Sequence, residues 1–279
     1  MDKPKISVIM PVYNTEETQL LAAVASIQGQ TYQNWECIIC DDGSGNQTGK
    51  VLKKIAAGDP RIRLIRNREN QKAGYARNVC IRHACGRYIA IMDADDLSAP
   101  DRLEKQVYFL ERYPKFAFVG TRGEFFRENI GDDGELYWYC AEPRAEDFLF
   151  SLPYVHASIL IRKEVLLQVH GYRTAPWAVR VEDYELLLRL YMFGWRGCNL
   201  ADTLYYIRRD ASQYKRRKYR YRFHEAYMKY CAFRKLGLMP VGILYAVKPL
   251  LVGLLPGSVA ALLQKRYYAG RKGRMHQCR

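Results

Sequence analysis

Three acidic clusters carry the residue types and spacings from which chemistry can be built. Asp93-Ala94-Asp95-Asp96 crowds three carboxylates into four residues, and their mutual repulsion falls if a divalent cation sits among them. Oxygen-only donors favour Mg²⁺ or Mn²⁺, either of which keeps positions open for phosphate oxygens and water. The same residues also suit a solvated turn with Asp96 capping the next segment. Asp41-Asp42-Gly43-Ser44 can accept hydrogen bonds from a ribose hydroxyl or a base N–H, although an Asp-Gly turn is the simpler account. Glu182-Asp183 opens an apolar-periodic stretch that buries Leu186, Leu187 and Leu190. An acid there suits the helix dipole, and within reach of an incoming hydroxyl it could act as a general base. Of five histidines, His83 and His170 fall in helical patterns, whereas His156 stands at the start of an apolar run near Ser158.

The surrounding pattern says which elements must position these groups. Lys5–Val12 reads as a buried strand, with Asn14 capping the next helix and Glu17 as its reciprocal partner. Leu20, Leu21, Val24 and Ile27 form a stripe at helical spacing. Trp35–Cys40, Ile62/Leu64 and Tyr88–Met92 read as further strands, alternating with helices marked by Val51, Leu52 and Ile55 and by Gly74–Ala84. Pro100 suits the first turn of a helix running through Leu103, Val107 and Leu110. Alternation of this kind implies a mostly parallel sheet with right-handed crossovers. Ligands of such sheets bind beyond the carboxyl ends of the strands, which is where Tyr13, Asp41-Asp42 and Asp93-Asp96 fall. Beyond residue 115 the pattern loosens into strands at Ala117–Gly120, Ser158–Ile161 and Leu204–Ile207, a polar loop at Glu128–Glu135, and helices at Lys163–Val169 and Asp183–Tyr191.

Composition narrows the classes. The chain has 279 residues and a formal net charge of +15. Residues 208–279 hold 18 of the 44 Lys and Arg against two acids, Asp210 and Glu225, so that tail carries +16 and the remaining body −1. A uniformly basic nucleic-acid binder is thereby disfavoured. The eight cysteines, with no secretory apolar region at the start, point to a reducing compartment without disulfides. Cys37-x-x-Cys40 lies inside an apolar run and has no second pair to complete a zinc tetrad. There is no G-x-G-x-x-G after the first strand, no Walker A segment and no G-x-S-x-G elbow.

Taken in order, Ser7-Val-Ile-Met-Pro-Val-Tyr-Asn14, Ile39-Cys-Asp-Asp-Gly-Ser44, Gly74-Tyr-Ala-Arg77-Asn78, Ala84-Cys-Gly-Arg-Tyr88, Asp93-Ala-Asp-Asp96 and Glu182-Asp183 resemble the family 2 inverting glycosyltransferases over residues 5–210. The resemblance implies an α/β glycosyltransferase A-type fold with a mostly parallel central sheet. Its nucleotide-binding half is expected at about 1–115, its acceptor half at about 116–210, and a basic, helical, membrane-associating region at 211–279. It further implies a nucleotide-sugar site at Pro11, Tyr13, Asp41, Asp42, Arg77 and Asp93, with Asp42 favoured over Asp41 for the base. Asp95, with Asp93 and Asp96, would hold Mn²⁺ or Mg²⁺. Asp183 would be the base, with Glu182 orienting it or touching the acceptor. His156, Arg208 and Arg209 are candidate acceptor or diphosphate contacts.

The tail segment Leu236–Leu263 carries one charge, Lys248, between cationic clusters at 214–222 and 265–274, but Pro240, Pro249, Pro256 and four glycines interrupt it. A span needs about 20 apolar residues. Broken and basic-flanked, the segment reads better as lying on an anionic leaflet than as crossing it; a packed helical subdomain is the alternative. Family resemblance then suggests a UDP-sugar donor and a polyprenyl-diphosphate-linked saccharide acceptor in bacterial surface polysaccharide synthesis, at the cytoplasmic face of the inner membrane. Two rivals are a single-strand nucleic-acid binder using Tyr214–Arg222, and a sugar-nucleotide-binding protein without turnover. The three acidic strand ends, which would repel a phosphate backbone, count against nucleic acid.

Overall fold

The computed structural model describes residues 5–137, 139–209 and 219–254. Eight strands form one sheet: β1 (Ile6–Val12), β2 (Trp35–Asp41), β3 (Ile62–Arg66), β4 (Tyr88–Ile91), β5 (Leu97–Ser98), β6 (Phe118–Phe126), β7 (Leu160–Arg162) and β8 (Gly197–Arg208). They lie in the order β3-β2-β1-β4-β7-β6-β8-β5. The first four in that order run parallel, β7 is antiparallel to both β4 and β6, and β8 is parallel to β6. The chain builds outward from β1 through β2 to β3, then returns to place β4 on the other side of β1. That reversal brings the carboxyl ends of β1, β2 and β4 to one rim.

Strand alternation assigns the helices to two layers. Ile6, Val8, Met10 and Val12 share a core with α1 (Glu17–Gln28), α2 (Asn46–Gly58) and α4 (Arg102–Arg112). Ile9, Ile38 and Cys40 face the other side and pack against α3 (Ala73–His83), α5 (Lys163–Gln168) and α6 (Glu182–Met192). Cys37 and Cys40 are buried strand residues, and burial pushes the Cys37 thiol up to about 12, so neither is a reactive thiol.

Several local expectations shift. Asn14 does not cap α1; Glu16 does, accepting from the Gln19 N–H, while Asn14 turns left-handed (φ 50°) and bonds across to Ser44 and Gly45. Pro100 precedes α4, whose N-cap is Asp101. His156 sits in a tight 3₁₀ turn (His156–Ser158) and the strand begins only at Leu160. Both β6 and β8 outrun their apolar signals, because their outer halves pair with each other and leave one face half-exposed.

Beyond residue 211 the described chain is not a separate unit. Helix α7 (Arg220–Lys235) packs Met228, Ala232 and Phe233, and α8 (Gly242–Leu254) packs Ala246, into the core shared by α3, α5 and α6. Among the described residues no helix is long and apolar enough to cross a membrane. Residues 210–218, most of the first cationic cluster, and 255–279, which hold the second, lie outside the described residues.

The two halves are stitched by a buried amide: Gln106 Nε2 on α4 donates to the Val119 carbonyl (2.9 Å) on β6 and to the Ser158 carbonyl (2.7 Å). Gln106→Ala leaves two buried carbonyls unmet and a void, so it is expected to lower stability by about 2–4 kcal/mol. A urea midpoint equal to that of the parent would show that the amide is not a structural tie.

Candidate functional site

At the rim, the chain shapes each acidic turn before any ligand arrives. Asp41 and Asp42 are both buried. Asp42 Oδ1 accepts from Asn67 Nδ2 (2.7 Å), and the Gln71 N–H is 3.1 Å from both of its oxygens, so this carboxylate already holds the 67–71 loop. Asp41 Oδ1 accepts the Ser44 N–H, while its Oδ2 is buried with no hydrogen bond and has only the Arg66 guanidinium at 3.5 Å. The unmet accepting capacity is thus at Asp41 rather than at the favoured Asp42. Pro11 lies half-buried near the end of β1, and Tyr13 stands exposed just beyond it.

Beyond β4 the three aspartates separate into different roles. Asp93 pairs with Arg77 of α3 at 2.7 Å. Burial opposes the Arg77 charge, but Asp93, Tyr172 and Glu182 outweigh it and hold the guanidinium above its ordinary value. Asp96 is buried and accepts the Arg208 N–H at 2.8 Å. Its carboxyl is pushed well up, first by burial and then by Asp95 and Asp93. Asp95 is half-buried, and its carbonyl accepts Arg208 Nε at 2.8 Å. Among the described residues no three His, Cys, Asp or Glu side chains converge as an ion-enclosing set, so Asp93, Asp95 and Asp96 do not form a protein-only cage. One or two carboxylates completed by diphosphate oxygens is the usual arrangement for Mg²⁺ and Mn²⁺, and Asp95 with its crowded neighbours fits that pattern.

A cavity of about 370 Å³ joins this turn to the second half of the chain. Arg77, Asp93 and Asp96 line it from α3 and the turn after β4, and His156, Arg180, Glu182 and Asp183 line it from the second half of the chain. Glu182 and Asp183 form the first turn of α6, where the helix N-terminus favours negative charge. One turn in, buried Glu185 anchors the helix by pairing with Arg189 and Arg173, each at 2.8 Å, and Arg189 ties on to the Gly171 carbonyl. Asp183 Oδ1 accepts the Tyr184 N–H, and Glu182 Oε2 is buried without a partner.

His156 and Tyr172 connect the sides. His156 Nε2 lies 2.9 Å from the Tyr172 hydroxyl, and the Arg77 guanidinium sits over the Tyr172 ring at 5.5 Å. Asn78, beside Arg77, fixes Tyr172 through both its N–H and its carbonyl. Residue 171 must be glycine: it is left-handed (φ +61°), and a Cβ there would meet Asn78 Oδ1 at 2.5 Å. Arg208 and Arg209 do not line the cavity. Arg208 clamps the carbonyls of Asp95 and Arg127, while Arg209 pairs with Asp133 and Glu135 and covers the Phe125 ring. Sequence reading missed Tyr172 and Arg180; the Arg-x-Glu-Asp spacing was the available signal for Arg180.

Comparison with known proteins bears on the family and the fold. The family model described as glycosyl transferase family 2 matches residues 7–168. The chain is 38% identical over 270 residues to EpsE of Bacillus subtilis (strain 168), a protein named as a glycosyltransferase, covering 96% of each. It is 32% identical over 208 residues to the Escherichia coli protein WfaP, named UDP-Glc:alpha-D-GlcNAc-diphosphoundecaprenol beta-1,3-glucosyltransferase, covering 72% of this chain and 77% of that one. Among solved structures, the mannosyltransferase PcManGT from Pyrobaculum calidifontis in complex with GDP-Man and Mn²⁺ superposes with a TM-score of 0.60 at 22% identity, covering 97% of this chain and 76% of that one.

Burial and the Arg77 charge lower His156 to about 4, against the opposing pull of Asp183 and Asp93. In the unfolded chain the same imidazole titrates near ~6.5. Between those values the unfolded chain holds the extra proton, so stability falls as pH is lowered through the window and is flat above it. His156→Gln is expected to remove up to about 3 kcal/mol of that acid sensitivity in urea titrations from pH 8 to 4. An unchanged slope would assign the sensitivity to another group.

Proposed function

We propose a reaction from one premise: the chain belongs to glycosyl transferase family 2. It moves a hexose or N-acetylhexosamine, with inversion, from a UDP-sugar to a hydroxyl of a polyprenyl-diphosphate-linked saccharide in surface polysaccharide synthesis. The observation that carries this reading is the cavity that joins Arg77, Asp93 and Asp96 to Glu182 and Asp183. The WfaP name supports both the UDP donor and the lipid diphosphate acceptor.

Each side of the cavity has its own task. Asp41, Tyr13 and Pro11 offer the nucleoside a buried acceptor oxygen and an exposed ring at adjacent strand ends. Arg77 holds Asp93 in place beside the donor sugar. Asp183 takes the proton from the attacking hydroxyl as that oxygen closes on the anomeric carbon, opposite the departing diphosphate. Glu182 Oε2 is placed to accept a hydrogen bond from the acceptor. Mn²⁺ or Mg²⁺, bound through Asp95 with Asp93 and Asp96 nearby, would neutralise charge on the leaving diphosphate.

The C-terminal helices suit work at a lipid surface. Leu244, Val247, Leu251 and Leu254 recur along α8 at helical spacing and are exposed, as are Phe223, Tyr227 and Tyr230 on α7. Their opposite faces are the ones packed into the body. With Arg220, Arg222, Arg234 and Lys235 alongside, this apolar face fits the cytoplasmic side of an anionic inner membrane, peripherally.

Three measurements test these assignments. Asp183→Asn is expected to keep UDP affinity and lose transfer by about 10²–10⁴-fold, whereas Asp95→Ala weakens Mn²⁺-dependent UDP binding by about tenfold or more. Near-parental turnover in the first variant, or unchanged Mn²⁺-dependent affinity in the second, would remove that residue from its role. In flotation with phosphatidylglycerol vesicles at low salt, the parent protein is expected to rise with the lipid. The double variant Leu244→Glu/Leu251→Glu is expected to stay behind, and a parent that ignores the vesicles contradicts the surface assignment.

A further inference from the structure

The cavity holds two arginines in opposite circumstances. Arg77 is spent on Asp93. Arg180 is exposed, lines the same cavity, and has no hydrogen bond or ion pair among the described residues. Its backbone is left-handed (φ 70°), a conformation that costs free energy for a residue with a Cβ and that concentrates at ligand sites. Three residues on, Asp183 opens α6, and between them Glu182 Oε2 is the buried carboxylate oxygen without a partner. Three peptide units span at most about 11 Å. An unmet cation and an unmet acceptor therefore line the same cavity within three residues of Asp183, close enough along the chain to meet one bound sugar.

We propose that Arg180 and Glu182 select an acceptor sugar carrying an anomeric diphosphate, with the Arg180 guanidinium on the diphosphate and Glu182 Oε2 on a ring hydroxyl. The inference rests on the glycosyltransferase reading above and names the residues that read the diphosphate of its acceptor. The donor's own diphosphate is the other source of such an anion. Arg180 belongs to the segment that enters α6 beside Glu182 and Asp183, whereas Arg77 stands on α3 and is engaged by Asp93.

The test compares two acceptors at saturating UDP-sugar: N-acetylglucosaminyl diphosphate on a short alkyl chain, and the same sugar as a neutral alkyl glycoside. The parent is expected to favour the diphosphate by about thirtyfold in kcat/KM, the scale of one charge-assisted contact. Arg180→Ala erases that preference through the diphosphate acceptor alone, Arg180→Lys restores part of it, and UDP affinity stays within about twofold. A parent without preference, an equal loss on both acceptors, or a loss of UDP affinity in Arg180→Ala would each overturn the proposal. If the parent binds UDP but transfers to neither acceptor, while still binding the saccharide diphosphate in an Arg180-dependent way, the transferase reading fails and the anion contact stands.

Discussion

The ion pair between buried Arg77 and half-buried Asp93 is the contact on which the site depends. A guanidinium only 6% exposed would be costly without a partner. Its partner is the first acid of the turn after β4, so Arg77 fixes both the end of that strand and the position of α3. The Arg77 face then covers Tyr172, whose hydroxyl meets His156. One charge pair thereby positions the turn after β4 and, through two neutral rings, a wall of the cavity that Glu182 and Asp183 also line.

Keeping those rings neutral matters to the electrostatics. Burial holds His156 low and the Tyr172 hydroxyl well above its ordinary value, so near neutral pH neither adds charge between Arg77 and Asp183. The cavity thus carries a polar but uncharged His–Tyr pair beside its acids. Asp93 is compensated locally by Arg77, and Glu185 is compensated by Arg189 one turn below Asp183. Glu182 and Asp183 are left as the carboxylates of α6 that face the cavity, which is what a base and an acceptor contact require.

The parallel half of the fold was legible because its signals are local: apolar runs, helical stripes, and acids directly after strands. Asp41, Asp93 and Asp183 could be placed by counting along the chain. What escaped depends on partners far off in sequence. Tyr172 matters because Asn78, 94 residues earlier, holds its backbone. The family resemblance favours Asp42 over Asp41 for the nucleobase, yet a loop arriving after β3 consumes most of its carboxylate. Arg208 and Arg209 are, on the same resemblance, candidate acceptor or diphosphate contacts. The polar loop that pairs with them offers no periodic pattern to read, and Asp133 and Glu135 capture Arg209 there. Asn14 had the composition of a cap, but tertiary bonding to Ser44 and Gly45 outcompeted the local motif.

The division of charge along the chain gains meaning from the packing of α7 and α8. A −1 body and a +16 tail could describe an enzyme trailing a mobile cationic arm. Phe233, fully buried among the side chains of the α3–α5–α6 layer, shows instead that the described part of the tail packs onto the body. Burying an aromatic ring of that size contributes roughly 2–3 kcal/mol, enough to fix how the exposed faces of α7 and α8 are aimed relative to the cavity. Helix α7 packs against α6, the helix whose first turn carries Asp183. The face that presents Leu244 and Leu251 is therefore joined by packing to Asp183, with α6 as the shared element. In the proposed reaction, a hydroxyl on a substrate held at that face would meet Asp183 at a height set by the fold rather than by the reach of a flexible linker.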